Sequence, residues 1–350
     1  MGNLSILVIS KTAQLLTQLL GSIPSALRGF EGNVEVLCSW NGSPEEEQKV
    51  LCPDNIELYF SQRTPYHFAT NCNQLSRQAC GDMLLFVNDD LILDPGSITA
   101  AVETLAHNNQ CGIVGAKLSN AAGLVGHAGI LFDHAYKPFH RYRDCPLDHQ
   151  LTERTETVPA VTGAFLLTRA NDYANCMMNE TYINNGEDIE LCLAYKLQLG
   201  LNTIFCHRAS GHHPERRTRG SQMQDAGFGN DNSEDLARMR RFRQQFVSAL
   251  SSEDRGHELD LAGREIDWCH QRIQQFERAK ALAKETEALA EALAKETEAL
   301  AAAEELKSGV EARKKAAENN WDQAKRYAEM EINEARLLSA KARQQSAKRS

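Results

Sequence analysis

The sequence predicts an α/β protein with a mainly parallel sheet flanked by helices, followed by long C-terminal α-helices. In the first part of the chain, short apolar runs alternate with stretches of helical spacing, a pattern typical of strand–helix–strand units with parallel strands. The last part has no proline and is rich in Ala, Glu, Lys and Leu, a composition that favours helix. We place the boundary at residue 250, which gives an α/β domain at 1–250 and a helical segment at 251–350.

The elements of the α/β domain are predicted from its apolar runs and from the helical spacing between them. The apolar runs predict strands at 4–10, 33–40, 55–62, 83–87 and 111–118. The intervening stretches predict helices at 12–20, 67–82 and 97–105. Because ligands of such sheets bind at the carboxyl ends of the strands, the polar residues that follow the strands are candidate site residues.

The helical segment contains an internal repeat. ALAKETEALAE at 281–291 is followed by ALAKETEALAA at 292–302, a period typical of a nearly straight helix or a gently right-handed supercoil. One stripe of this helix carries Leu282, Leu289, Leu293 and Leu300. We expect a homo-oligomerisation coil or a rigid spacer, with a solvated helix as the alternative. For the basic end at 336–349 we expect a solvated helix end or a contact with an anionic membrane surface.

Charge, hydropathy and cysteine usage argue against several classes of protein. The net charge is −9, and residues 1–270 carry 22 basic and 33 acidic side chains, which argues against nucleic acid as the main partner. No apolar run exceeds five residues, whereas a membrane-spanning helix needs about 18. The N-terminus has no basic region before its apolar stretch, and the ten cysteines form no CxxC pair. We therefore expect a cytoplasmic protein with reduced thiols, at most peripheral at the inner face of the membrane.

One polar cluster follows a predicted buried strand. Asn88, Asp89 and Asp90 come directly after the strand at 83–87. Two carboxylates that leave a buried strand suit a divalent cation, which would neutralise a diphosphate. The alternative is a turn with a helix cap, because Asn and Asp favour both.

Two further clusters carry candidate catalytic and phosphate-binding groups. Glu187 and Asp188 follow an Asn-Gly turn and start a predicted helix, so they are either a general base at a pocket or two acids favoured by the helix dipole. Farther along, His212 or His213 could supply a metal ligand, and Arg217 with its neighbouring arginines could grip a phosphate. A plain polar loop is the alternative for this last cluster.

Taken in order, five segments between residues 4 and 250 resemble the family 2 glycosyltransferases, which have the Rossmann-like GT-A fold. HFATNCNQLSRQACGDMLLFVNDDLIL at 67–93 is similar to the stretch that leads from the nucleotide-sugar pocket into the Asp-X-Asp-type motif. The other four segments are VGAKLSNAAGLVGHAGILFD at 114–133, VPAVTGAFLLTRA at 158–170, NETYINNGEDIELCLAYKLQLG at 179–200, and the pair His212-His213. Their order and spacing are more specific than any one of them.

The resemblance implies roles for individual residues. Asp90 matches the last acid of the Asp-X-Asp-type motif and would contact a Mn²⁺ or Mg²⁺ ion. His212, or His213 in its place, would complete the metal or diphosphate site. Asp188 matches the catalytic base, with Glu187 as the alternative. Donor-binding positions would be Ser10, Asn41, Asn73, Asn88, Asp89, Asp90, Gly163 and Arg217.

The function that the resemblance implies is an inverting, metal-dependent glycosyltransferase. It would move a sugar from a nucleotide-diphosphate donor to a hydroxyl of a saccharide, glycolipid or protein, in surface glycan synthesis. A retired scaffold assembled by its coiled coil is the first alternative, because Asn88 replaces the leading acid of the motif and the second strand ends without the Asp that reads the nucleobase. A nucleotidyltransferase is the second, although the stretch 10–14 lacks the Gly-rich loop that such enzymes carry.

Overall fold

The structure is a computed structural model that describes residues 2–61, 65–214, 233–303, 321–323 and 325–332. The chain divides into two compact units, Met1–Ala262 and Gly263–Ser350. The first unit contains a mixed sheet with helices and the second is helical in its described residues.

Twelve strands are assigned within the described residues. They are β1 Leu4–Ser10, β2 Val34–Trp40, β3 Glu57–Phe60, β4 Met83–Asn88, β5 Ile92–Leu93, β6 Cys111–Ser119, β7 Val125–His127, β8 Ile130–Phe132, β9 Pro138–His140, β10 Glu156–Val158, β11 Phe165–Arg169 and β12 Asn202–His212. The helices are α1 Ala13–Ala26, α2 Pro44–Glu47, α3 Phe68–Gln78, α4 Ser97–Ala106, α5 Ala170–Asn175, α6 Glu187–Ala194, α7 Ser233–Ala249 and α8 Ser252–Ala303. A 3₁₀ turn at Gln150–Thr152 and a π-helical turn at Tyr195–Leu199 complete the assignment.

The sheet has the order β10-β12-β6-β11-β4-β1-β2-β3, with β5 and β7 attached to β12 and β6. Strands β3, β2, β1 and β4 run parallel to one another, and β12 runs parallel to β6. Strand β11 lies antiparallel between β4 and β6. The predicted α/β class with a mainly parallel sheet is therefore confirmed, and the GT-A resemblance agrees with this arrangement.

The central strands are buried on both faces, which explains why they are almost wholly apolar. Ile6 and Val8 of β1 share one core with Leu85 and Val87 of β4, and leucines of α1 and α4 cover this face. On β4, Phe86 alternates with these residues and stacks against Tyr173, with ring centroids 4.7 Å apart. This packing fixes the position of the polar residues that follow β1 and β4.

The first turns of α8 belong to the first unit. Lys196 Nζ lies 2.8 Å from Asp254 Oδ1, and His257 Nε2 lies 2.8 Å from the carbonyl oxygen of Thr157. Arg243 of α7 forms a bidentate pair with Glu258. The division therefore falls inside α8, after the predicted boundary at residue 250. Within the described residues, no helix combines the length and the apolarity that a membrane crossing requires.

Candidate functional site

The ends of β1 and β4 lie side by side and bring the first polar cluster together. Ser10 Oγ donates to Asp89 Oδ2 over 2.7 Å, and both side chains are buried. The backbone N–H of Asn41, at the end of β2, donates to the carbonyl oxygen of Ser10 over 2.7 Å. Three predicted donor-site residues therefore meet at one edge of the sheet, and Asp89 is bonded into the turn itself.

Asp90 lies against a histidine of the strand end opposite. His213 Nε2 is 3.1 Å from Asp90 Oδ1 and 3.3 Å from Asn88 Nδ2. The backbone N–H of His213 donates to the Ser119 carbonyl, and this bond continues the pairing of β12 with β6 for one more residue. Asn88, Asp90 and His213 thus form one polar cluster with a histidine nitrogen and a carboxylate oxygen in direct contact.

The structure places His213, and not His212, in this cluster. His212 Nδ1 lies 3.0 Å from Ser119 Oγ, beside the neighbouring strand. Because successive residues of an extended chain point in opposite directions, only one of the two histidines can face Asp90. Of the two predicted alternatives, the contacts favour His213 over His212, and the ligand role itself stays a prediction.

The acid pair stands at the start of α6. Gly186 has φ +110°, a left-handed conformation that glycine adopts without strain, and it turns the chain into the helix. Glu187 is buried, whereas Asp188 is half-buried. Asp188 Oδ2 accepts from the Gly163 N–H over 2.7 Å, and its Oδ1 accepts from the Ile189 N–H over 2.8 Å.

One loop, at residues 163–164, forms hydrogen bonds with both clusters. The Asn88 N–H donates to the Ala164 carbonyl over 3.1 Å, and the N–H of the preceding Gly163 holds Asp188. A Cβ at Gly163 would lie 3.4 Å from the Asp188 Cβ and 3.3 Å from the ring of Phe68, so the close approach of loop and acid favours glycine. Gly163, a predicted donor residue, serves here as the hydrogen-bond partner of the predicted base.

A pair of histidines, the buried His127 and the half-buried His140, lies beside the same loop. His127 Nε2 lies 3.4 Å from the Thr162 nitrogen and 3.3 Å from the Gly129 nitrogen, and its Nδ1 lies 2.9 Å from His140 Nδ1. Burial lowers the pKa of His127 well below its ordinary value, and the nearby His140, His213 and Arg141 lower it further. His127 was not among the predicted site residues, although its segment, 114–133, is one of those that resemble the family.

Asn73 is not part of the site. Its side chain is 2% exposed, and Nδ2 donates to the Met178 carbonyl and to Glu180 Oε1. Its Oδ1 accepts from the Tyr173 hydroxyl over 2.7 Å. This buried network corrects the prediction that Asn73 binds the donor. Arg217 lies outside the described residues.

The chemistry of the cluster limits the metals that it could hold. Among the described residues, no group of three or more His, Cys, Asp or Glu side chains is arranged to hold a metal ion. Asp90 and His213 supply two donor atoms. Mg²⁺ and ions of similar preference are commonly held by one or two protein groups together with water and substrate phosphates. The residues present therefore fit an ion that is completed by a diphosphate.

Comparison with known proteins adds sequence similarity to this geometry. No protein-family model matches the chain. Over 195 residues, 53% of the chain, it is 29% identical to the O-antigen biosynthesis protein RfbC of Myxococcus xanthus. Over 247 residues, 67% of the chain, it is 27% identical to the uncharacterized protein y4gI of Sinorhizobium fredii. The matches span 15% and 26% of these curated relatives.

Similar solved structures include two glycosyltransferase complexes. GalNAc-T7 with UDP, GalNAc and Mn²⁺ superposes with a TM-score of 0.47 at 12% identity, over 70% of this chain and 54% of that one. The mannosyltransferase PcManGT of Pyrobaculum calidifontis, with GDP-Man and Mn²⁺, gives a TM-score of 0.43 at 12% identity, over 97% and 87% of the two chains. In sequence the chain is similar to a protein of O-antigen biosynthesis, and its mixed, mostly parallel sheet is the arrangement that the resemblance to glycosyltransferases implies.

Proposed function

We propose that the chain is an inverting, metal-dependent glycosyltransferase that uses a nucleotide-diphosphate sugar. The observation that carries this proposal is the loop at 162–164, which bonds to Asp188 through the Gly163 N–H and to the Asn88 N–H through the Ala164 carbonyl. Asn88 in turn contacts His213, which faces Asp90. One end of such a site would bind a diphosphate and the other would take a proton. A sugar transfer from a nucleotide diphosphate needs both functions side by side.

Asp188 is the proposed general base. Because a hydroxyl is a poor nucleophile near neutral pH, a carboxylate within hydrogen-bond reach must accept its proton as it attacks the anomeric carbon. The N–H groups of Gly163 and Ile189 fix the orientation of the Asp188 carboxylate. Attack on the face opposite the leaving diphosphate inverts the anomeric centre. Glu187 is the weaker candidate because its side chain is buried.

Asp90 and His213 are the proposed ligands of a Mn²⁺ or Mg²⁺ ion. When bound, such an ion supplies positive charge that stabilises the leaving diphosphate. Asn88 and the Ser10–Asp89 bond hold this edge of the sheet in place for the ion. Arg217 stays a predicted diphosphate contact.

The acceptor and the biological role are proposed from similarity. The name of the Myxococcus xanthus relative supports a role in surface glycan synthesis. We propose a hydroxyl of a saccharide, glycolipid or protein as the acceptor.

Release of the nucleoside diphosphate from a panel of UDP-, GDP- and dTDP-sugars tests this proposal. With Mn²⁺ or Mg²⁺ present, we expect slow hydrolysis of one donor class, and NMR at early times should show the inverted anomer. The Asp188→Asn variant should lose this hydrolysis. Product with the donor's own anomeric configuration would contradict inversion, and hydrolysis that survives chelation of the metal would contradict metal dependence.

A retired scaffold that works through its coil is the second candidate. At the end of β2, where family members read the nucleobase, Trp40 is 1% exposed and its Nε1 donates to the Ser43 carbonyl. On α8, Leu282 and Leu289 are 50% and 64% exposed, as expected for a stripe that binds a second copy. Sedimentation of the full chain and of the Leu282→Lys, Leu289→Lys variant tests this candidate. Self-association lost in the variant, in a chain that binds no donor, would favour the scaffold.

A further inference from the structure

We propose that Asp235 is a positioning residue that orders the loop in front of the acid pair and thereby aligns Asp188. The inference rests on the proposed function, since it assigns Asp235 a part in that reaction. Asp235 lies in the first turn of α7, some fifty residues after the loop that it contacts. The sequence analysis gave it no role.

The carboxylate of Asp235 accepts hydrogen bonds from three consecutive backbone N–H groups. Its Oδ1 accepts from Ile183 over 3.1 Å, and its Oδ2 accepts from Asn184 over 2.7 Å and from Asn185 over 3.2 Å. The Asp235 side chain is 3% exposed. Hydrogen bonds to an ionised acceptor are the stronger kind, and the burial reduces competition from water. A single side chain thus holds the three residues in front of Gly186.

The other half of the loop is held from α6. Glu190 accepts from Asn179 Nδ2 over 2.7 Å and from the Tyr182 hydroxyl over 2.5 Å. The Tyr182 ring in turn packs under Gly186, where an added Cβ would come within 2.8 Å of it. Glu190 therefore anchors the beginning of the loop, and Asp235 anchors its end.

The anchored end leads directly into the proposed base. Two residues separate Asn185 from Asp188, and one of them, Gly186, has a left-handed conformation with no side chain to restrict it. Without Asp235, the N–H groups of 183–185 lose their acceptor, and the turn into α6 loses its restraint. The Asp188 carboxylate would then no longer hold the orientation that its bonds to Gly163 and Ile189 require. Misplacement of a reacting group by about 1 Å can cost about 100-fold in rate.

Two substitutions and a matched control separate positioning from general stability. Asp235→Asn keeps the size of the side chain but replaces one acceptor oxygen by a donor nitrogen, and Asp235→Ala removes both acceptors. Glu234→Gln is the control, because Glu234 is its exposed acidic neighbour in the same helical turn. If Asp235→Ala does not fold, the isosteric Asn variant still decides the question.

The first measurement is turnover of the donor that the full chain hydrolyses. We expect Asp235→Asn to lower kcat by about 10- to 100-fold while the KM for the donor and its metal-dependent thermal stabilisation stay unchanged. A general loss of stability would not lower kcat while leaving KM and the metal-dependent stabilisation unchanged. We expect KM and this stabilisation to stay unchanged because Asp90 and His213, the proposed metal ligands, are not altered. A kcat within twofold of the wild-type value would overturn the inference.

The second measurement is amide hydrogen exchange, which needs no substrate. In the wild-type chain and in Glu234→Gln we expect the amides of 183–185 to be protected. In Asp235→Asn their exchange should be at least about tenfold faster, with the central strands unaffected. Equal exchange in Asp235→Asn and wild type would show that Asp235 does not order the loop. If the wild-type chain turns over no donor, the proposed function fails, and the exchange comparison still decides whether Asp235 holds the loop.

Discussion

His213 and His212 are adjacent in sequence but belong to different environments. His213 meets Asp90 and Asn88, whereas His212 meets Ser119. Sequence reasoning could nominate the pair but could not choose between them, because the choice depends on where β12 ends. The pair therefore supplies a substitution and its own control.

Replacing His213 should weaken metal-dependent donor binding. We expect His213→Ala to reduce Mn²⁺-dependent donor affinity by about 10- to 100-fold, in line with the loss of one group around a metal site. His212→Ala should bind as tightly as the wild-type chain. Calorimetric titration of the donor with and without Mn²⁺ measures both, and a larger loss in His212→Ala would return the ligand role to His212.

Replacing Asp188 should abolish turnover without abolishing donor binding. We expect Asp188→Asn to lower kcat by about 100- to 10,000-fold, the usual contribution of a general base. The donor should still stabilise this variant against heat, because Asp90 and His213 remain. Glu187→Gln is the comparison, and a greater loss of kcat there, in a variant with unchanged thermal stability, would make Glu187 the base.

Acid should destabilise the metal-free protein through His127. Its pKa in the folded chain is well below the ordinary value of 6.5, so the unfolded chain binds a proton at a pH where the folded chain does not. This contribution to stability is intact above pH 6.5 and is lost as the pH falls towards the lowered pKa, by up to about 1.4 kcal/mol per pH unit.

The test of this prediction is urea unfolding at several pH values between 7 and 5. In His127→Gln we expect a shallower dependence of the free energy of unfolding on pH. The exposed His107→Gln should retain the wild-type slope. An unchanged slope in His127→Gln would contradict the assignment.

Among the elements, the long apolar strands of the first 120 residues were predictable and the three-residue strands were not. Strands β1, β2, β4 and β6 are buried apolar runs, and their predicted positions agree with the structure to within a few residues. Strands β7 to β10 have three residues each, too few for a periodic signal. Their positions depend on pairing with distant partners, which the local sequence does not specify.

Some residues of the candidate site could likewise be predicted from the local sequence, and others could not. Asp89 and Asp90 could be found because they directly follow a buried strand, and Glu187 and Asp188 because they follow an Asn-Gly turn. Asp235 could not be found, since the amides that it accepts from lie far away in the chain. The bonds of Asn73 could not be predicted for a similar reason: its partners, Tyr173 of α5, Met178 and Glu180, lie 100 to 107 residues farther along the chain.

The start of α8 should be required for the stability of the α/β unit. A chain that ends at Phe246 loses the partner of Arg243, the Lys196–Asp254 ion pair, and the His257 contact with the Thr157 carbonyl. It also loses the buried side chain of Leu261. A chain that ends at Ala262 keeps all of these contacts.

We therefore expect the chain that ends at Ala262 to melt at the temperature of the α/β transition in the full chain. The chain that ends at Phe246 should melt about 2–8 °C lower, because a loss of about 1–2 kcal/mol shifts the midpoint by about 2–4 °C per kcal/mol in a unit of this size. Circular dichroism measures both. Equal melting temperatures would show that the contacts of α8 contribute nothing to the first unit.

For the whole molecule, the described parts of the proposed catalytic site all lie in the first compact unit. The matched segment covers 15% and 26% of its two curated relatives. We infer that this one edge of the sheet binds a nucleotide-sugar together with a divalent ion.

Thermal stabilisation across a panel of nucleotide-sugars, with and without Mn²⁺, is the measurement that best tests donor and metal binding at this edge. A ligand that binds only the folded state raises its stability by mass action, about 2.7 kcal/mol at a hundredfold excess over Kd. We predict stabilisation by one nucleotide class that requires Mn²⁺ or Mg²⁺, is retained in Asp188→Asn and is reduced in His213→Ala. If no donor stabilises a well-folded chain, with or without metal, then this edge of the sheet does not bind a nucleotide-sugar.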